Sequence, residues 1–257
     1  MAATQSLKDK LDKVEARIAA ACEAANRPRH EVKLIAVTKY AAPEQVREAV
    51  ALGLGDLGEN RVQQMAERAP MIHEYHARRQ QAGGDVVASP YGVRWHMVGR
   101  LQRNKVKQLL PHCELIHSVD SLRLAEEIDE QAGRLGKTQA VLIQVNCSEE
   151  EQKGGVAVGA APHLGEAVAD LPHVKLLGLM TMAAHDAGEA ARFQFGRLRE
   201  IFAEMKFNRV AGDDLRHLSM GMSGDLEAAI AEGATLVRIG SDLFGGPEPD
   251  QHEPDEA

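Results

Sequence analysis

Three stretches of this chain carry residue types that can do chemistry. The first is Lys33-Leu-Ile-Ala-Val-Thr-Lys39-Tyr40, in which a lysine follows a short apolar run. An amine at the end of a buried strand, against an apolar wall, has a depressed pKa and becomes nucleophilic, as a Schiff-base lysine requires. The plainer reading is a solvated lysine capping a strand. The second stretch is Ser219-Met-Gly-Met-Ser-Gly-Asp225, directly before a helical pattern at 225–232. Gly221 and Gly224 let the backbone turn tightly and approach a ligand, while Ser219 and Ser223 add hydroxyl donors. With the free N–H groups of a helix N-terminus, that combination suits a phosphate. The third is Arg238-Ile-Gly-Ser241, where Gly240 and Ser241 again offer N–H and O–H donors. Ordinary Gly/Ser loops would explain both segments as well, until their place in the fold is considered.

The elements that position these residues follow from hydrophobic patterning. Leu34, Ile35, Ala36 and Val37 form a run too short for periodicity to decide, but length, β-branching and Pro43 soon after favour a strand. Further strand signals lie at 56–58, 94–98, 114–119, 140–145, 175–180, 215–218 and 235–239. Helical patterns fall at 5–26, 43–52, 61–82, 121–135, 162–170, 188–206 and 225–232, with a surface loop at 83–92. The first helix carries Leu7, Leu11, Val14, Ile18 and Ala21 at helical spacing and closes before Pro28. Strict strand–helix alternation implies parallel strands, and eight such units in about 210 residues point to a closed (β/α)8 barrel. In such a barrel chemistry sits at the carboxyl ends of the strands, here Lys39, Asn60, His96, Ser118, Asn146, Thr181, Ser219 and Ser241. Barrels often bind phosphate after strands seven and eight, where the second and third stretches fall, and this tips them toward a phosphate site.

Composition narrows the function classes. The 257 residues are 44% hydrophobic, 26% charged and only 4% aromatic, as in a soluble globular protein with an aliphatic core. A net charge of −8 argues against general nucleic-acid or anionic-membrane binding. Cys22, Cys113 and Cys147 stand far apart without a CxxC, which suggests buried thiols in a reducing compartment rather than a disulfide framework or zinc site. The N-terminus reads as neither signal peptide nor membrane span, so a cytosolic location is expected. The expected layout is a single barrel domain over 1–246, then an acidic, proline-containing tail at 247–257 that is expected to be disordered.

Other constellations carry less. Gly53, Gly55 and Gly58 spell G-x-G-x-x-G, but the motif follows a helix and enters a strand, the reverse of a dinucleotide loop. Arg100, Arg103, Lys105 and Lys107 read as a solvated helix face or secondary anion contacts. The eleven histidines form no H-E-x-x-H or Cys/His set, so no metal is expected. Met180, Met182, Met220 and Met222 read mainly as barrel packing.

Several motifs together resemble one family. They are Ala36-Val-Thr-Lys39, Gly58-Glu-Asn-Arg61, Trp95-His-Met-Val-Gly99 with Leu101-Gln102 and Asn104-Lys105, and Gly178-Leu-Met-Thr-Met182. Ser219-Met-Gly-Met-Ser-Gly-Asp225 and Val237-Arg-Ile-Gly240 with Phe244-Gly245 complete the set. In this order they resemble the pyridoxal phosphate homeostasis protein family (YggS, or proline synthase co-transcribed). The resemblance implies a (β/α)8 barrel like the alanine racemase N-terminal domain and bound pyridoxal 5′-phosphate (PLP). It implies Lys39 as the internal aldimine, with Ser219, Gly240 and Ser241 on the phosphate and the backbone of Met220, Gly221, Met222 and Ser223 nearby. Arg238 would face the pyridine nitrogen, and Asn60, His96 and Met180 would line the ring's surroundings.

A cationic Arg238 would disfavour protonation of that nitrogen, which makes aminotransferase-type chemistry unlikely to be supported. Alanine racemase takes its second base from an additional β-domain, for which this chain leaves no room after the barrel. The expectation is therefore a PLP-holding protein of intracellular PLP homeostasis, a monomer with apo-forms of PLP enzymes as candidate recipients. The alternatives are a low-efficiency PLP-dependent amino-acid racemase, or a phosphate-sugar barrel enzyme with an aldolase-type Lys39. Thr38, Arg100, Arg103 and Asp242 depart from the family pattern, and the segment 70–92 is longer than usual. Asp242 matters most, because a carboxylate beside the phosphate loop repels the ligand unless it points away.

Overall fold

The computed structural model describes residues 5–83, 92–148, 150, 154–184 and 189–246. Eight parallel strands close into a barrel: β1 (Lys33–Val37), β2 (Asp56–Glu59), β3 (Arg94–Met97), β4 (Leu115–Val119), β5 (Gln139–Asn146), β7 (Val174–Met180), β8 (His217–Ser219) and β9 (Leu236–Ile239). Each pairs with the next, β4 joins β5, β5 joins β7, and β9 returns to β1 with Ala36 opposite Ile239. The remaining two-residue strand β6 (Val156–Ala157) extends the end of β5 and has no counterpart in the sequence reading, being too short to leave a pattern.

Both faces of the strands are buried, which is why they read as continuous apolar runs. Leu34 and Ala36 of β1 face the helices within the larger core, whereas Ile35 points inward. Inside, Ile35 packs with Leu115, Leu142, Leu177, Met180 and Leu236. The outer helices are α1 (Leu7–Ala24), α2 (Pro43–Ala51), α3 (Val62–Gln81), α4 (Val106–Leu109), α5 (Leu122–Arg134), α6 (Ala161–Ala169), α7 (Glu189–Phe207), α8 (Leu226–Ala231) and α9 (Ser241–Phe244). The sequence pattern had placed the longer ones to within a residue or two. It placed α8 to within a residue at each end and missed the single-turn α9, which follows β9 without a periodic run of its own.

Helix α1 starts at a capping box: Ser6 Oγ accepts from Asp9 N, and Asp9 Oδ2 accepts from Ser6 N, both at 3.2 Å. Its apolar stripe Leu7, Leu11, Val14, Ile18 and Ala21 is buried, and the helix packs on α8 and α9. That contact brings the N-terminal helix beneath the loops expected to bind an anion. Cys22, Cys113 and Cys147 are free and buried. Among the described residues no helix is long and apolar enough to cross a membrane. The expected loop at 83–92 falls mostly outside the described residues, and the tail at 247–257 lies wholly outside them.

Candidate functional site

At the carboxyl ends of the strands lies a cavity of about 850 Å³, a volume in the usual range for a small-ligand site. Lys39, Asn60, Met222, Ser223, Arg238, Gly240 and Ser241 all line it. Lys39, two residues past β1, is half-buried, and its ammonium lies 4.8 Å from the ring centre of Tyr40. It makes no ion pair among the described residues. Its neighbours hold the loop that carries it. Thr38 Oγ1 donates to Glu59 Oε1 at 2.5 Å, and Arg68 Nη1 donates to the same oxygen and to Thr38 O, each at 2.6 Å. Arg68 Nη2 reaches Ala41 O at 2.9 Å. The turn Thr38–Ala41 is thus fastened from below by a buried Glu59–Arg68 pair, and burial raises the Glu59 pKa even though both partners oppose the shift.

Across the mouth, two loops meet. Ser241 Oγ and Ser223 Oγ lie 3.0 Å apart, and Asp242 N donates to Ser223 Oγ at 3.4 Å. Met222 N–H is taken by Asp225 Oδ1 at 2.5 Å, which closes the turn ahead of α8. Gly221 has φ +95°, and a Cβ there would come 2.6 Å from that of Ala229, so only glycine fits. A Cβ on Gly240 would come within 3.2 Å of Val37 O, which sets this loop directly beside the strand leading to Lys39. Asp242 does point away: Arg17 of α1 donates to its Oδ2 at 2.6 Å, to both oxygens of Glu227 at 2.8 and 3.0 Å, and to Ser223 O at 2.9 Å. One arginine from the start of the chain thereby neutralises the acidic groups behind the cradle.

Other expected site residues lie elsewhere. Arg238 is 4% exposed yet reaches the cavity wall, donating to Ser219 Oγ at 2.7 Å and Thr181 O at 3.0 Å. Burial lowers its pKa to about 10. Ser219 is fully buried, and its hydroxyl sits between Arg238 and His117 rather than on the cavity wall. His96 lies inside β3 rather than at its end, hydrogen-bonded to Asp56 and His117. Met180 packs within the barrel, and Met220 faces the outer core. Gly221 serves the turn behind the wall. Sequence reasoning missed Arg17, Glu59, Arg68, Asp56 and His117. Alternation along β3 and β4 could have found one pair, since His96 and His117 each occupy an inward-facing position; Arg17 had no local signal at all.

Nothing in the cavity conflicts with a phosphorylated aromatic aldehyde. Among the described residues Asn60 Oδ1 is buried without a partner, as a group that meets a polar ligand would be. Paired hydroxyls face an amine across a space large enough for one ring and its phosphate. The fold and this wall define a parallel barrel protein with a lysine, two serines and an arginine at one mouth.

The alanine racemase N-terminal domain family matches residues 10–248. By that match and by its relatives the chain belongs to the pyridoxal phosphate homeostasis protein family. The protein of that name from Aquifex aeolicus is 42% identical over 238 residues, spanning 92% of this chain and 96% of its own. The Escherichia coli (strain K12) protein is 34% identical over 236 residues, spanning 91% and 94%. Among solved structures, PipY of Synechococcus elongatus PCC7942 with PLP bound has a TM-score of 0.68 at 33% identity, covering 90% of this chain and 100% of that one. An alanine racemase from Clostridium difficile 630 shares the fold, with a TM-score of 0.65 at 16% identity over 95% of this chain and 60% of that one.

Proposed function

We propose that this protein binds PLP as a Schiff base on Lys39 and serves intracellular PLP homeostasis by holding the cofactor rather than by turning over amino acids. The observation that carries the reading is the shared cavity: Lys39, Ser223, Arg238, Gly240 and Ser241 all face one space. In the covalent step the Lys39 amine adds to the aldehyde carbon, a C=N bond forms, and the carbonyl oxygen leaves as water. Ser223 and Ser241 would hold the phosphate with the backbone beside Gly240. Arg238 would face the ring nitrogen, and Asn60 would meet a polar edge of the ring. Ser219, His96 and Met180 act from behind the wall. The cavity's carboxylates are committed, Asp225 to Met222 N–H and Glu227 to Arg17, which disfavours the racemase alternative. The PLP-bound PipY structure and the names of the relatives support the same reading. A reducing cytoplasm suits three buried free thiols. The monomeric state and delivery to apo-enzymes belong to this reading too.

Added PLP is expected to give the purified protein a visible absorption band that survives gel filtration, and Lys39→Ala is expected to abolish it. A Lys39→Ala protein that keeps the band would refute the assignment. Arg17→Met should weaken PLP binding about threefold to tenfold, because the Asp242 carboxylate behind the phosphate loop is then left unneutralised. Adding Asp242→Asn should restore most of the loss in a calorimetric titration. No recovery would mean that Asp242 lies outside the ligand's field.

A further inference from the structure

The barrel interior holds a line of hydrogen bonds that runs from the cavity to the opposite rim. Arg238 Nη1 meets Ser219 Oγ at 2.7 Å, Ser219 Oγ meets His117 Nδ1 at 2.8 Å, His117 Nε2 meets His96 Nδ1 at 3.0 Å, and His96 Nε2 meets Asp56 Oδ1 at 2.9 Å. All five side chains are buried. Asp56 opens β2 at the end of the barrel away from the cavity. There Arg94 binds both its oxygens, at 2.9 and 2.7 Å, and Lys33 stands 3.6 Å away.

The chemistry of the two ends sets the direction of every bond between them. A guanidinium only donates, and a carboxylate only accepts. Arg238 therefore donates to Ser219, the serine hydroxyl to His117 Nδ1, His117 Nε2–H to His96 Nδ1, and His96 Nε2–H to Asp56. For neutral imidazoles this order places both ring protons on Nε2. Burial holds both below the ordinary histidine range, which agrees with that state. Among the described residues Arg238 has no carboxylate within ion-pair distance; Asp225 acts on it from farther away, and this polarised line adds Asp56 at its far end. Aligned bonds in a low-dielectric interior strengthen one another.

We infer that Asp56, on the rim opposite the cavity, is a positioning residue for Arg238: through His96, His117 and Ser219 it fixes the guanidinium that forms part of the cavity wall. This rests on the PLP reading only where PLP serves as the reporter. An asparagine at 56 can donate as well as accept. It therefore releases the tautomers of both histidines; with His117 Nδ1–H donating, Ser219 Oγ accepts from both neighbours and its own buried proton loses the acceptor that fixed the hydroxyl against Arg238.

The test has two arms. In the first, ¹⁵N-histidine-labelled wild-type protein without PLP is read by NMR at pH 7. His96 and His117 are expected as neutral Nε2–H tautomers, and an imidazolium or an Nδ1–H tautomer at either position overturns the proposal without reference to any cofactor. In the second, Asp56→Asn is compared with His117→Gln, whose amide can accept from Ser219 while donating to His96. Asp56→Asn should bind PLP roughly tenfold more weakly, with a displaced absorption band, and His117→Gln, which keeps the direction of both bonds, should bind it more tightly than Asp56→Asn does. If Asp56→Asn lowers only stability, leaving PLP affinity and the band unchanged, Asp56 does not position Arg238. If the wild type takes up no PLP, the cofactor reading fails while the tautomer arm still decides this one.

Discussion

Between pH 6.5 and 4.5 the unfolding free energy is expected to fall, mainly through His96 and His117. Burial pushes both imidazole pKa values down. For His117, neighbouring His96, Arg238 and His217 push it further; for His96, Asp56 opposes the shift. The folded state therefore binds fewer protons than the unfolded chain. Stability is complete above the unfolded-state histidine pKa and is lost as pH falls through it toward the folded values. His217, lowered to about 4 chiefly by burial, adds a smaller share because it is partly exposed. Asp56 steepens the loss at the acidic end. Burial works against its ionisation, but His96, Arg94 and Lys33 outweigh burial and hold the carboxyl well below its usual range. Its contribution is present above the ordinary carboxylate pKa and disappears below it. Urea unfolding at half-unit pH steps measures the curve. A flat midpoint from pH 7 to 5 would mean that the two histidines are solvated or already charged.

Arg68→Met is expected to cost about 3–5 kcal/mol, the usual penalty for removing one partner of a buried pair. The change leaves Glu59, fully buried, with the Thr38 hydroxyl and the neighbouring Asn60 backbone as its remaining hydrogen-bonding groups among the described residues. Thr38 O and Ala41 O lose their donors as well. Glu59→Gln in the same background should recover a large part of the loss, since a neutral amide is far cheaper to bury than a carboxylate. The turn bearing Lys39 should also exchange its amide hydrogens faster in Arg68→Met, because those carbonyl contacts tie it to α3. Chemical unfolding reads the first effect and hydrogen exchange the second. A loss below about 1 kcal/mol would place this pair among solvent-screened surface bridges.

The sequence by itself determined the barrel. Parallel strands buried on both faces, spaced by amphipathic helices, leave their apolar record in local residue order, and Leu34–Val37 or Val141–Val145 can be read without any partner. It also determined the two ends of the candidate site, because Lys39 and the loops at Ser219–Asp225 and Arg238–Ser241 are each contiguous. Only the tertiary structure decided what stands between and behind them. On a strand-end reading Ser219 and His96 look like Ser241 and Asn60, yet the barrel turns the first pair into its interior and the second onto the cavity wall. Arg17 answers Asp242 across 225 positions of sequence. The physical reason is the same in each case: secondary structure is written in neighbours along the chain, whereas the partner of a buried charge is set by which strand or helix the closed barrel brings against it.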